Sequence, residues 1–360
     1  MIKRHKAHAW PRKGNAHPVK NALLSTGEVD QMSKRSVAKI QHYVPQFLLK
    51  NFRFKKSRIY VFDKKSGKKF VTNVRNVACQ SRFYDFEFEG EPFTLESSLS
   101  KIESAAKPHI DTILESDSLL TLSPEARAEL CIFFSVQFTR TLAFRERWRE
   151  IPELIGEKLK AMVDNEEQLE NVSEYIRSQS ENEVIRDNVQ FIMRSPEQFA
   201  VHFATKSWLL VATAPKRPFF IGDDPITLQN QIKSPFAGNL GLACQGIEMY
   251  FPLSPTRALA MLCPSHKERL QDLVGEVARL RAGLSSAESM VKAMYVENML
   301  AALESGEPFA YTTGNVENFN ALQILHSERF VFSSSDNFHL AEKIITKHPK
   351  ARSGRRVTVN

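Results

Sequence analysis

The residues of this 360-residue chain best suited to chemistry are a histidine, two acidic pairs and an arginine set in an apolar run. His42 stands just before Pro45, where an imidazole titrating near neutrality could act as a general base or ligate a metal. The same ring could cap the helix that Pro45 opens, and Gln46 could orient it or satisfy buried backbone. Glu96, Ser100 and Glu103 fall at i, i+4 and i+7, so both carboxylates share one helical stripe. Hard divalent cations take such oxygen ligands, and a solvated helix flank has the same spacing. Asp223 and Asp224 follow the strand-like FFIG and are stopped by Pro225. A strand end is a common seat for catalytic acids, and equally an ordinary turn whose carboxylate accepts backbone hydrogen bonds.

Gln137, Arg140 and Thr141 share a stripe with Phe133 and Phe144 in an apolar helical segment. A guanidinium buried there requires a carboxylate partner, and Glu96 and Glu103 are the candidates. The pair could fix two helices in register, or it could floor an anion site at which Arg140 meets a phosphate or carboxylate. Asp63-Lys64-Lys65 imitates the end of a nuclease D-x-K motif, but Ser66-Gly67 makes it a hairpin tip. Tyr84, Asn76 and Asn320 are polar residues in apolar contexts and are expected to form buried hydrogen bonds. The chain lacks GxxxxGK[ST], HExxH, GxSxG and a strand-linked GxGxxG, which disfavours P-loop, zinc-protease and α/β-hydrolase chemistry.

The elements that must position these groups read as follows. Pro45 and QFLLKNF make a short helix, and RIYVFDKKSGKKFVTNV a hairpin with a Lys/Ser/Gly turn. RFYDFEFEG continues the sheet, with Phe83, Tyr84 and Phe86 among its contacts. Leu95, Leu99, Ile102, Ala106 and Ile113 then recur at helical spacing. Ser123 and Pro124 open one long helix through residue 151. Further helices are expected through Asp187 and over residues 195–205. SWLLVATA, RPFFIGDDPITL, IEMYFPLSP and ALAMLCP are strands, followed by helices near 286–302 and over VENFNALQILHSE, the strand RFVFSS and a last amphipathic segment. Helical material between two groups of strands gives an α+β class: a helix-rich single domain over residues 40–342 with small antiparallel β elements near both ends.

Of the formal charge of +8, residues 1–39 hold nine Lys/Arg against Glu28 and Asp30, and residues 343–360 hold six Lys/Arg and no acid. The body between them is therefore mildly acidic, at −5. We read 1–39 as a disordered basic leader and 343–360 as a basic tail, either of which could hold nucleic acid through screened electrostatics. Four dispersed cysteines without a CxxC pair, and no apolar run long enough to span a bilayer, place the chain in the cytoplasm without a membrane role.

The run HYVPQFLLKNF at 42–52 resembles the opening of an uncharacterised, mainly bacterial family catalogued as domain of unknown function 4238. RNVACQSRFYD, LESSLSKIE, VQFTRT, FFIGDDPI, YFPLSP and NALQI extend the resemblance over about residues 39–335. It implies a single fold unit and supplies no activity. Two functions remain. The first is a nucleic-acid-associated, metal-dependent nuclease or phosphodiesterase, with His42, Asp223 and Asp224 as catalytic groups and Glu96 and Glu103 holding a divalent metal. The second is a non-enzymatic module that binds a small anion or protein partner in a pocket around Arg140, with Gln46, Gln137 and Thr141. The enzyme requires His42 and at least two carboxylates to converge at a concave surface; the module requires Arg140 to be neutralised by Glu96 or Glu103, with His42 elsewhere.

Overall fold

A computed structural model of the chain describes residues 33–34, 39–160, 170, 180–232, 239–280 and 287–356. In the N-terminal part, short runs of β-branched and aromatic residues alternate with tight turns. They form β1 (Ser33–Lys34), β2 (Ile40–His42), α1 (Gln46–Asn51), β3 (Arg58–Asp63), β4 (Lys68–Asn73), β5 (Cys79–Ser81), β6 (Asp85–Phe88) and β7 (Glu91–Thr94). The β3–β4 hairpin closes in the register Asp63↔Lys68, with Gly67 at φ 72° in the turn, a backbone region that glycine enters without the strain a Cβ brings. β1 pairs with β7, so residues 33–34 of the expected leader take part in a sheet; most of that leader lies outside the described residues.

The 3.6-residue apolar period from Leu95 produces α2 (Glu96–Ser116), which buries Leu99, Ala106, Ile110 and Ile113. Ser123 caps α3 (Pro124–Thr139), its hydroxyl accepting from Ala126 N at 3.1 Å. The single helix expected over 124–151 is broken. α3 ends at Thr139, and α4 (Leu142–Lys160) begins after Thr141, whose hydroxyl accepts from Phe144 N at 3.2 Å. Thr141 is therefore a cap in mid-sequence, and no Gly or Pro marks the break. α5 (Glu181–Arg194) and α6 (Pro196–Ala204) complete the helical layer, with Phe134 of α3 packed between Phe203 and Trp208.

The later strands are β8 (Ser207–Ala212), β9 (Ile221–Gly222), β10 (Thr227–Asn230), β11 (Ile247–Pro252) and β12 (Arg257–Leu262). Next come α7 (Pro264–Leu280), which the sequence reading passed over, α8 (Ala287–Ser305), β13 (Phe309–Ala310), α9 (Thr313–His326), β14 (Phe330–Ser333) and α10 (His339–Lys347). The main sheet runs β10-β11-β12-β8-β13, antiparallel except for the parallel β13–β8 edge. A second sheet, β4-β3-β14-β9, joins the N-terminal hairpin to the C-terminal strand and so closes the α+β domain. The main core includes Leu48, Phe133, Phe134, Leu210 and Phe251.

The expected tail boundary at 342 falls inside α10. Ile345 and Ala351 are buried, and Arg356 makes a two-point ion pair with Glu328 at 2.7 and 2.8 Å. Through residue 356 this segment is part of the folded body. Its anchor is Lys64, fully buried at the hairpin tip, whose ammonium donates to the carbonyls of Ile324 (2.6 Å), Ser327 and Ser353 (3.3 Å). Burial lowers the Lys64 pKa to about 8, against the raising influence of Asp223 and Glu328. Among the described residues, no helix is long and apolar enough to cross a membrane.

Candidate functional site

The break between α3 and α4 is the structural centre of the sequence-derived candidates. Arg140, the C-terminal cap of α3, is 1% exposed. Its Nη2 donates to Glu103 Oε1 on α2 at 2.7 Å and to the carbonyl of His42 at 2.9 Å. Tyr84 Oη donates to the Arg140 carbonyl at 3.1 Å. Burial opposes the arginine's charge, but Tyr84, Glu103 and Glu96 around it outweigh that cost and raise its pKa. Among the described residues Glu96 makes no ion pair, and burial raises its pKa. Gln137 donates to the Tyr43 carbonyl at 3.0 Å, which ties α3 to the segment before α1.

His42 is held at both nitrogens. Nε2 donates to the Arg75 carbonyl at 3.1 Å, which fixes the proton there and leaves Nδ1 to face the Gln46 amide at 3.5 Å. Burial lowers its pKa, so the neutral ring predominates at pH 7. A residue that the sequence reading missed places this strand: Gln41, fully buried, donates to Asp85 at 2.5 Å and accepts from Tyr84 N at 2.6 Å.

The two aspartates diverge in role. Asp223 accepts the backbone N–H groups of Glu328 (2.6 Å), Arg329 (2.9 Å) and Phe330 (2.8 Å), clamping the turn from α9 into β14. Gly222 permits this approach, because a Cβ there would sit 2.9 Å from the Gln323 carbonyl. Burial raises the Asp223 pKa to about 6 against those N–H groups and Lys64. Asp224 accepts from Thr141 Oγ1 at 3.0 Å and from Arg147 at 3.1 Å, bracing the start of α4.

The structure therefore brings Arg140 to Glu103, Gln46 to His42 and Thr141 to Asp224, and it holds the His42 backbone against Arg140, not elsewhere as the binding module required. No hydrogen bond or ion pair joins Asp223 or Asp224 to His42, Glu96 or Glu103. Among the described residues, no three His, Cys, Asp or Glu side chains gather as a metal set. Of the expected buried amides, Asn320 accepts from Phe220 N at 2.7 Å, whereas Asn76 is exposed.

A cleft of about 480 Å³ opens beside this centre, lined by Tyr43, Phe83 and Phe330 and by five cations and three glutamates. Four of the cations are paired or exposed. Arg149 meets Glu181 at 2.9 Å, Arg356 meets Glu328, Arg329 meets Asp63 at 2.9 Å, and Lys65 is exposed to water. The fifth, Arg145, is 3% exposed and has no carboxylate partner among the described residues. Its guanidinium lies 3.6 Å from the centre of the Phe83 ring and donates to Asn188 at 3.2 Å, while Nη2 has no hydrogen-bond partner. Burial lowers its pKa to about 10, which leaves it charged at neutral pH. The sequence reading missed it because FRERWRE looks like a solvated helix flank. The only available signal was the cap at Thr141, which resets the helical phase and turns Arg145 inward.

No curated protein and no solved structure matches the chain. The family described as protein of unknown function (DUF4238) matches residues 40–337, a span that contains every site residue expected from the sequence and Arg145, but not Arg356 of the cleft. By that match over most of its length, the chain belongs to the DUF4238 family.

Proposed function

We propose that the protein is a non-enzymatic binding module that holds a small phosphate- or carboxylate-bearing anion in the cleft against Arg145. One observation carries this reading: a guanidinium that is 3% exposed, stacked on Phe83 and without a carboxylate partner among the described residues. A buried charge is costly unless it is paired, and an anion entering from the cleft would complete the pairing. Tyr43, Phe83 and Phe330 offer an apolar wall for the rest of the ligand. The anion site expected at Arg140 moves to Arg145, because Glu103 already occupies Arg140.

Metal-dependent phosphodiester hydrolysis has less support. His42, Glu103, Asp223 and Asp224 are each engaged in a contact that fixes the backbone or a helix. Cys79, Cys131, Cys244 and Cys263 are free thiols, which suits a reducing cytoplasm. The test is the melting temperature of the wild type and Arg145→Gln against inorganic phosphate, sulfate, acetate and nucleoside monophosphates. At least one anion should raise the wild-type value and leave the variant unchanged. A shift retained in the variant, or no shift with any anion, overturns the assignment.

A further inference from the structure

The segment from Lys50 to Arg75 carries ten Lys/Arg against the single acid Asp63. The rest of the 40–342 body is then left at −14, so the mild net charge of the body conceals a strong local separation. Lys64 is buried, and the other nine cations are exposed. Of those nine, only Lys69 has an ion pair among the described residues, with Glu342 at 2.8 Å.

The arrangement is built around an aromatic step. The tight turn Arg53–Arg58 is closed by Arg58 N donating to the Lys55 carbonyl at 2.9 Å and Phe54 N to the Arg58 carbonyl at 3.1 Å, with Lys56 at φ 48°. That turn lays Phe54 on Tyr60, ring centres 4.1 Å apart and 27° from parallel. Phe54 remains 38% exposed. Arg58 and Tyr60 share one face of β3, and Lys69, opposite Phe62, lies on the same face of β4. α10 packs on this face through Phe62 and Phe338 and adds exposed Lys343 and Lys347.

Lysines commonly blunt an edge strand against aggregation, and β4 is an edge. That role accounts for Lys68 and Lys69. It does not account for Arg53, Lys55 and Lys56, which precede β3, or for Arg58 at its first position, and these four surround an exposed ring. Exposed cations around a stacked aromatic step suit a flexible polyanion whose units carry π faces. We propose that the turn Arg53–Arg58 and the outer face of the β3–β4 hairpin bind single-stranded nucleic acid, independently of the Arg145 cleft. Cations engage the phosphates, and a base stacks on the free face of Phe54.

The test is fluorescence anisotropy of the full chain with a labelled 12-nucleotide oligo-dT over a salt series. Charge reversal in Lys55→Glu/Lys56→Glu should weaken binding by about tenfold or more and flatten the log–log salt dependence by about 1.4 or more. Phe54→Ala should weaken it by about fivefold or more at unchanged salt slope, since stacking is not ionic. The charge-matched control Lys101→Glu/Lys216→Glu should bind within about twofold of wild type, because Lys101 on α2 and Lys216 after β8 belong to neither the turn nor the hairpin. The proposal is overturned if the wild type does not bind, or if the hairpin variants behave like that control. It is equally overturned if Phe54→Ala binds as wild type and heparin competes as well as unlabelled oligo-dT, because the surface would then read charge without bases.

Discussion

Arg140 and Glu103 meet at 2.7 Å, and the same guanidinium nitrogen holds the carbonyl of His42, so one side chain links α2, the α3–α4 break and the strand before α1. The pair sits at the junction of these elements, with the arginine buried and the Glu103 side chain partly open to water. Removing one charge leaves the other uncompensated, which is worse than removing both.

Glu103→Gln should therefore destabilise the fold by about 2 kcal/mol, less than a fully buried pair would cost because a quarter of the Glu103 side chain meets water. Glu103→Gln/Arg140→Met should recover part of that loss. Urea midpoints of the two variants decide the matter. A double variant weaker than the single would show that Arg140 stabilises chiefly through its hydrogen bond to His42.

Thr141 carries two contacts through one hydroxyl, the cap on α4 and the bond to Asp224. Thr141→Val should cost about 2–3 kcal/mol, since both a helix cap and a partner of a buried carboxylate disappear. Thr141→Ser retains the hydroxyl and should cost under about 1 kcal/mol. Similar losses in both variants would assign the residue's role to its methyl group.

Much of this architecture is legible in the chain. The alternation of RIYVFD and KKFVTN gives the hairpin, Ser123-Pro124 gives the start of α3, and a buried arginine in VQFTRT demands the carboxylate that Glu103 provides. What resists reading is set by tertiary context. A cap by Thr141 inside a continuous helical pattern leaves no Gly or Pro signal, and the phase of Arg145 depends on that cap. β14 pairs with β3 across more than two hundred and fifty residues, a partnership that no local period encodes. Lys64 stands in a polar turn sequence and is buried only because the carbonyls at the end of α9 and at Ser353 converge on it.

Asp223 makes pH dependence informative. Burial lifts its pKa from an ordinary value near 3.8 to about 6, so between those values the folded state binds the extra proton and stability falls as pH rises. Asp223→Asn cannot titrate there. The melting-temperature advantage of wild type over Asp223→Asn should therefore narrow from pH 4 to pH 6 and then level off. An advantage that widens over this range would mean that the three N–H donors and Lys64 hold the carboxylate ionised against its burial.

The basic C-terminal stretch offers the sharpest contrast between composition and structure. Deleting residues 343–360 would remove Ile345 and Ala351 from the core, the Ser353 carbonyl from Lys64, and Arg356 from Glu328. Glu328 is 4% exposed and Lys64 fully buried, so the deletion leaves a buried carboxylate and a buried ammonium each short of a partner. The expected loss is about 3 kcal/mol or more, read as a lower urea midpoint. If the shortened chain does not fold, Lys64→Met in the full chain isolates the anchor. Loss of the ammonium should then speed hydrogen exchange through 349–356, while β3 and β4, paired along their whole length, keep their protection. A truncated protein that melts with the full chain, or unchanged exchange in Lys64→Met, would return these residues to the status of a solvated tail.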